Sequence, residues 1–303
     1  MGCQNPVAGA TIRATAAPGR AAATKGMEMC VAGCERAVRE ALTRRGFFRG
    51  AAATGLAATA WAATAAPAVA GPKTFTTVVD LTHTMSPEFP TFNGKPGIEM
   101  QREFVLRKDG YNLSWWHLSE HVGTHLDAPI HFSEHGLTAD RLAIEQLVVP
   151  LAVVDIAYQA AQEADYLLSR DDLAAWESKN GRLPDGCCVA LHSGWGELLV
   201  TDEAKFSGRD IGGTFHFPGF DPDAAEWMIK ERKVAGIAVD TLSLDNGPSK
   251  DFKTHKLWLS SGRWGLENVA NLGKVPASGA TLVVGAPKVK DATGGLTRVL
   301  ALV

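Results

Sequence analysis

Cysteine is scarce in this chain. Five are present among 303 residues, and Cys3, Cys30 and Cys34 all fall within the first 70. The other two, Cys187 and Cys188, are adjacent in an apolar run. Neighbours on a strand point to opposite faces, which argues against a mutual disulfide and against joint metal binding. A disulfide framework is therefore excluded, and the pair reads as buried free thiols. Basic charge is short as well. Lys+Arg number 30 against 33 Asp+Glu, and the first 70 residues take eight of the basic and three of the acidic ones. The remainder carries 22 against 30, a formal charge of −8, which argues against nucleic acid or an anionic membrane as partner. A strongly apolar run is also missing. A spanning helix needs about 20 such residues, and residues 51–66 are mostly alanine, glycine and threonine.

What that stretch offers instead is an address. Thr43-Arg44-Arg45-Gly46-Phe47-Phe48-Arg49 precedes it and Ala68-Val69-Ala70, a small-x-small cleavage pattern, follows it. Paired arginines before a moderately apolar run resemble a twin-arginine export signal. The expectation is a cleaved segment at 1–70, a single domain at 71–303, and a periplasmic or secreted location. The stretch before Thr43 is long for such a signal, which leaves Met27 and Met29 as alternative starts.

All nine histidines lie beyond the leader, and three of them crowd into the segment 121–131, HVGTHLDAPIH. His121 and His125 are four apart, but Gly123, Thr124 and Pro129 make a helix a poor reading. Extended chain from Thr124 places His125 and Asp127 on one side, with Pro129 and His131 continuing the row, and His121 joins if the chain turns at Gly123. Burying so many polar groups is costly without a cation, so the segment reads as a metal site. Imidazole and carboxylate suit Zn²⁺, Mn²⁺ or Fe²⁺, and the lack of sulfur ligands argues against a structural zinc.

Short β-branched runs recur at 75–81, 151–156, 187–191, 234–239, 281–284 and 298–303, each bounded by Gly, Pro or Asp as strands are. Helical patterns lie between some of them. Ser169 opens one with a capping box, and Asp221-Pro222 opens another with proline at the first helical position. No internal repeat or long linker is visible, so the chain reads as α/β with one mixed sheet and flanking helices. Residues 84–98 and 200–220, rich in Gly, Pro and Phe, read as long surface loops that rim a pocket. Phe215, Phe217 and Phe220 are candidates for an apolar lid, and Trp115-Trp116 for core and pocket wall.

The segment His121 to Phe132 resembles the signature of the cyclase family of metal-dependent hydrolases, a family that includes bacterial kynurenine formamidases and isatin hydrolases. The likeness extends to Asp80-Leu81-Thr82-His83, to the segment 191–195, to 236–243, and to Leu266-Glu267-Asn268-Val269. The resemblance implies a single-domain swivelling β/β/α cyclase-like fold. It makes His121, His125 and Asp127 ligands of a first metal. Asp127 then bridges to a second, held also by His255 and by Glu267 twelve residues on. His131 matches the proton donor and acceptor, and imidazole titrates close to neutral pH; a role as a fifth ligand stays open. Phe92 stands where formamidases place a tryptophan against the substrate, and His83 and Trp116 are further candidates for lining the pocket. One or two divalent ions, zinc or manganese, are implied, as is a homodimer or homotetramer with no nucleic-acid or membrane partner. The function this implies is hydrolysis of a C–N bond in a small amide, formamide or lactam by metal-activated water. The alternatives are a lyase or cyclisation catalyst on a small carbonyl compound and a non-catalytic periplasmic binder of metal or ligand.

Overall fold

The β-branched runs become strands of one nine-stranded mixed sheet. The computed structural model describes residues 74–303, and the export segment expected at 1–70 lies outside them. Four strands form the parallel centre: β5 (Val148–Asp155), β7 (Cys188–His192), β9 (Gly236–Val239) and β10 (Trp264–Glu267). Parallel neighbours need a crossover, and each crossover here carries a helix: α1 (Arg170–Asn180), α2 (Pro222–Glu231) and α3 (Lys253–Ser260). Ser169 caps α1 in a full capping box with Asp172, and Asp221 caps α2 with Pro222 behind it. On one flank the sheet continues antiparallel through β11 (Thr281–Gly285), β13 (Arg298–Leu302) and β1 (Val78–Asp80). On the other flank β10 pairs antiparallel with β4 (His125–Asp127), which pairs in turn with β12 (Gly294–Leu296). Among the described residues, no helix is long and apolar enough to cross a membrane.

The sheet separates two apolar layers. Leu126, Val153, Cys188, Ala190 and Leu266 face one core. Val154, Cys187, Val189 and Val239 face the other, where Leu173, Met228 and Trp258 of the three helices cover them. The adjacent cysteines thus point into opposite layers, both free and both buried. Burial pushes the Cys187 thiol up to about 12, so it carries no thiolate chemistry.

Three expectations fail here. Trp116 and Trp115 form neither core nor pocket wall; they stand 59% and 58% exposed. They lie on a separate two-stranded hairpin, β2 (Ile98–Phe104) with β3 (Leu113–Leu118), which projects from the sheet. Phe217 and Phe220 are fully buried and cannot act as a lid. Residues 200–220 are not simple loop either, since they include the helical turn Glu203–Ser207, capped by Asp202, with Phe206 buried beneath it.

Candidate metal centre

The ligand cluster follows from strand register. Gly123 turns the chain at φ +58°, and β4 then runs extended, so His125 and Asp127 share the face opposite Leu126. Antiparallel pairing sets Glu267, the last residue of β10, directly across from His125. His255 comes from the first turn of α3, where it lies on the same inward face as Trp258 and Leu259. The row does not continue extended past Asp127 as the alternation implied. Residues Pro129–His131 form a 3₁₀ turn instead, which folds His131 back so that its ring stacks on His121 at 3.7 Å.

The distances describe a site built for a cation. His121 Nδ1 lies 2.6 Å from Asp127 Oδ1, and His125 Nε2 lies 3.3 Å from both Asp127 Oδ1 and Glu267 Oε2. His255 Nε2 is 2.9 Å from Glu267 Oε1 and 3.4 Å from Asp127 Oδ2. Asp127 therefore reaches all three histidines. Two of the imidazoles have their tautomers set. His125 Nδ1 donates to the Gly123 carbonyl at 2.8 Å, and His255 Nδ1 donates to Asp245 Oδ2 at 2.6 Å, so each turns Nε2 toward the carboxylates as the atom a cation would meet.

Charge tells the same story. Burial by itself depresses His125, but the Asp127 and Glu267 carboxylates, each 3.3 Å from Nε2, outweigh it and raise its pKa to about 10. His255 is likewise held well above the ordinary imidazole value, against its burial, by Asp127, Asp245 and Glu267. Burial works to raise Asp127, yet the three histidines carry it well below the usual carboxylate range. The pocket thus demands positive charge. His125 Nε2 and Asp127 Oδ2 are buried without a hydrogen-bond partner, at a cost that a coordinated cation removes. Ligand atoms of His125, Asp127 and Glu267 lie within 4.8 Å of one another, as do those of His121, Asp127 and His131. All-nitrogen-and-oxygen donors of this kind fit one or two divalent ions.

A cavity of about 280 Å³ opens onto these atoms. Phe92, Phe132, Phe252, Leu242 and Val122 wall it, and among the described residues no lysine or arginine lines it. Phe252 adopts left-handed backbone (φ +51°) at the start of α3 and presents its ring to the cavity. Phe92 is braced from behind by Phe215, ring centroids 4.4 Å apart.

The sequence profile of the Cyclase family matches residues 79–246. The isatin hydrolase of Roseibium aggregatum is 33% identical over 244 residues, a span of 75% of this chain and 91% of the relative. The kynurenine formamidase of Salinibacter ruber is 25% identical over 66% of this chain and 84% of its own. Among solved structures, isatin hydrolase A from Ralstonia solanacearum superposes with a TM-score of 0.70 at 34% identity, covering 75% of this chain and 92% of that one. The chain belongs to the Cyclase family. It is accordingly an enzyme, a metal-dependent hydrolase.

In this family member the structure brings together His121, His125, Asp127, His131, His255, Glu267 and Phe92 around one cavity. It does not bring His83 or Trp116 there. His83 packs between Phe89 and Phe206, at 6.0 and 6.3 Å, and burial pushes its pKa down to about 4. Asp245 was missed from sequence. Its carboxylate accepts the backbone N–H groups of Thr254 and His255 at 2.8 and 3.1 Å as well as His255 Nδ1–H. One buried side chain therefore caps α3 and aims its histidine. A lone acidic residue ten positions before a histidine carries no local signal for that role.

Proposed function

We propose that this enzyme hydrolyses the C–N bond of a small, uncharged cyclic amide, a lactam bearing an aromatic ring, to give a carboxylate and an amine. The observation that carries the reading is the wall of the cavity, which away from the histidine–carboxylate cluster is largely aromatic and aliphatic and, among the described residues, holds no lysine or arginine. A kynurenine-type substrate brings an amino-acid carboxylate that calls for a lysine or arginine. A neutral lactam does not, and Phe92, Phe132 and Phe252 can hold its ring by stacking. The higher identity to an isatin hydrolase than to a kynurenine formamidase points the same way.

His121, His125 and Asp127 would hold one divalent ion, and Asp127, His255 and Glu267 a second. Such a cation lowers the pKa of water toward about 7 and polarises the carbonyl under attack. The remaining work belongs to the protein. The phenylalanines hold the ring and exclude bulk water, so that the carbonyl carbon faces the ligand cluster. His131 is neutral at pH 7, because burial pushes its pKa down to about 4. It takes the proton from the attacking water and returns it to the nitrogen as the C–N bond breaks.

The test is a panel of neutral lactams, formamides, N-formyl amino acids and esters, followed by acid release with Zn²⁺- or Mn²⁺-loaded full chain. Fast turnover of a neutral lactam, abolished by a chelator, is the expected result. Preference for N-formyl amino acids, or no acid release while metal stays bound, would overturn it. We also read residues 1–70 as directing export by the twin-arginine route, tested by cell fractionation of an Arg44→Lys/Arg45→Lys variant. Self-association is the third part of the reading, supported by Trp115 and Trp116 on their exposed hairpin and tested by sedimentation of a Trp116→Glu variant.

A further inference from the structure

Three histidines converge on Asp127, but they do not offer the same ring atom. His125 and His255 spend Nδ1 on an acceptor and present Nε2. His121 is the reverse. Its Nε2 lies 2.9 Å from Thr293 Oγ1, while Nδ1 faces Asp127. The Thr293 hydroxyl has a single hydrogen, and it gives that hydrogen to Glu120 Oε2. Glu120 also accepts the Thr293 backbone N–H, at 3.2 Å to Oε1, and as a carboxylate it has no hydrogen to give, so the one shared with Oγ1 is the hydroxyl's own. Thr293 Oγ1 must then accept from His121, and Nε2 must carry a hydrogen. With Nε2 committed to Thr293, Nδ1 is the ring atom left to meet a cation, in place of the hydrogen it shares with Asp127.

We propose that Thr293 and Glu120 are positioning residues of the metal centre: they fix His121 in the tautomer that ligates through Nδ1. The inference rests on reading the cluster as a metal site. It ties two distant parts of the chain together, because Glu120 immediately precedes His121 whereas Thr293 immediately precedes β12. The next residue makes room for the ring. A Cβ on Gly294 would come within 2.3 Å of the Leu126 carbonyl oxygen and 2.7 Å of His121 Cε1, so glycine there leaves room for both the strand pairing and the imidazole. Glu120, Thr293 and His121 form a carboxylate–hydroxyl–imidazole relay, and its charge passes through the ring to make Nδ1 a stronger donor.

The experiment uses the purified full chain and Zn²⁺ as probe. Affinity is read by competition with a chromophoric chelator for the wild type, Thr293→Val, Thr293→Ser and Glu120→Gln. The valine variant keeps the shape and loses the hydroxyl, and a loss of roughly 10- to 100-fold in affinity is expected. The serine variant restores the hydroxyl and with it the affinity, and the glutamine variant falls between. A melting curve for each confirms the fold, and ¹⁵N NMR of the Zn²⁺-loaded wild type reads the ligating atom. Nε2 of His121 is expected to keep its proton while the Nδ1 resonance moves on loading. A valine variant that binds Zn²⁺ as tightly as wild type overturns the inference, as does serine failing to rescue or Nε2 bearing the metal. Absence of Zn²⁺ uptake by the wild type would sink the metal-centre reading itself, which keeps the two failures apart.

Discussion

Replacing His131 with alanine should stop turnover and leave the metal in place. The residue ends the 3₁₀ turn Pro129–His131, its ring stacked on His121 at 3.7 Å and met edge-on by Phe132 at 4.7 Å. Burial keeps the imidazole neutral at pH 7, with a lone pair on one ring nitrogen. Removing a general acid–base of this kind costs about 10²- to 10⁴-fold in kcat. That corresponds to about 2.7 to 5.5 kcal/mol of lost transition-state stabilisation, at 1.36 kcal/mol per decade. His121, His125, Asp127, His255 and Glu267 are untouched, so metal content and affinity should stay at the wild-type level. Loss of the stacked pair should cost stability about 0.5–1.5 kcal/mol, a fall of a few degrees in Tm for a domain of this size. The assay pairs kcat on the preferred lactam with metal analysis of the same preparation. A kcat within about tenfold of wild type would refute the proton-carrier role. A parallel loss of metal would instead make His131 a ligand of the group it forms with His121 and Asp127.

Further outcomes follow from the same geometry. Asp245→Asn should weaken Zn²⁺ binding roughly 10- to 100-fold, because His255 loses its charged acceptor at 2.6 Å; wild-type affinity in a chelator competition would refute this. Loading the metal at about 100 times its Kd should stabilise the fold by about 2.7 kcal/mol, or about 5–10 °C in Tm; a melting curve unchanged by chelation counts against the site. Acid stability should depend on His83. Its pKa falls to about 4 in the fold against 6.5 for the ordinary imidazole, so between those values the unfolded chain binds the proton first. Stability is therefore lost as pH drops through 6.5 toward 4 and regained on the way up. His83→Gln should flatten that limb in denaturant titrations at pH 7 and pH 5, and an unchanged slope would show that His83 plays no part in it.

Local chemistry was legible in the sequence, and long-range placement was not. The caps at Ser169 and Asp221 could be read because a helix start is written within four residues. The opposite burial of Cys187 and Cys188 followed from strand alternation alone. His125 and Asp127 on one face came from the same rule. It failed two residues later, where Pro129 opens a 3₁₀ turn that bends His131 back toward His121. Alternation reports a strand but not where the strand packs. Trp116 sits on a genuine strand, yet among the described residues that strand pairs only with β2 and leaves the ring in solvent. Asp245 and Thr293 were invisible for a related reason. Each acts on a histidine through space, and nothing in their neighbours marks them.

The position of the centre explains why chemistry and specificity separate in this molecule. Strand β10 is parallel to β9 on one side and antiparallel to β4 on the other, so the sheet changes direction there. Ligands of open α/β sheets gather at the carboxyl ends of strands where the strand order switches. Glu267 is the carboxyl-terminal residue of β10, and Leu242 and Ser243, just past β9, line the same cavity. Four of the five proposed ligands are fixed by register or by the first turn of a packed helix, and His121 by the turn at Gly123. Phe92, Phe132 and Phe252, by contrast, stand on loops or at a helix start outside the sheet. Loop residues can change with little consequence for the strands beneath them. The same ligand set can thus serve different amides by exchanging the aromatic wall. It follows that a substitution such as Phe92→Arg should alter which amide is cleaved while leaving the metal bound as before.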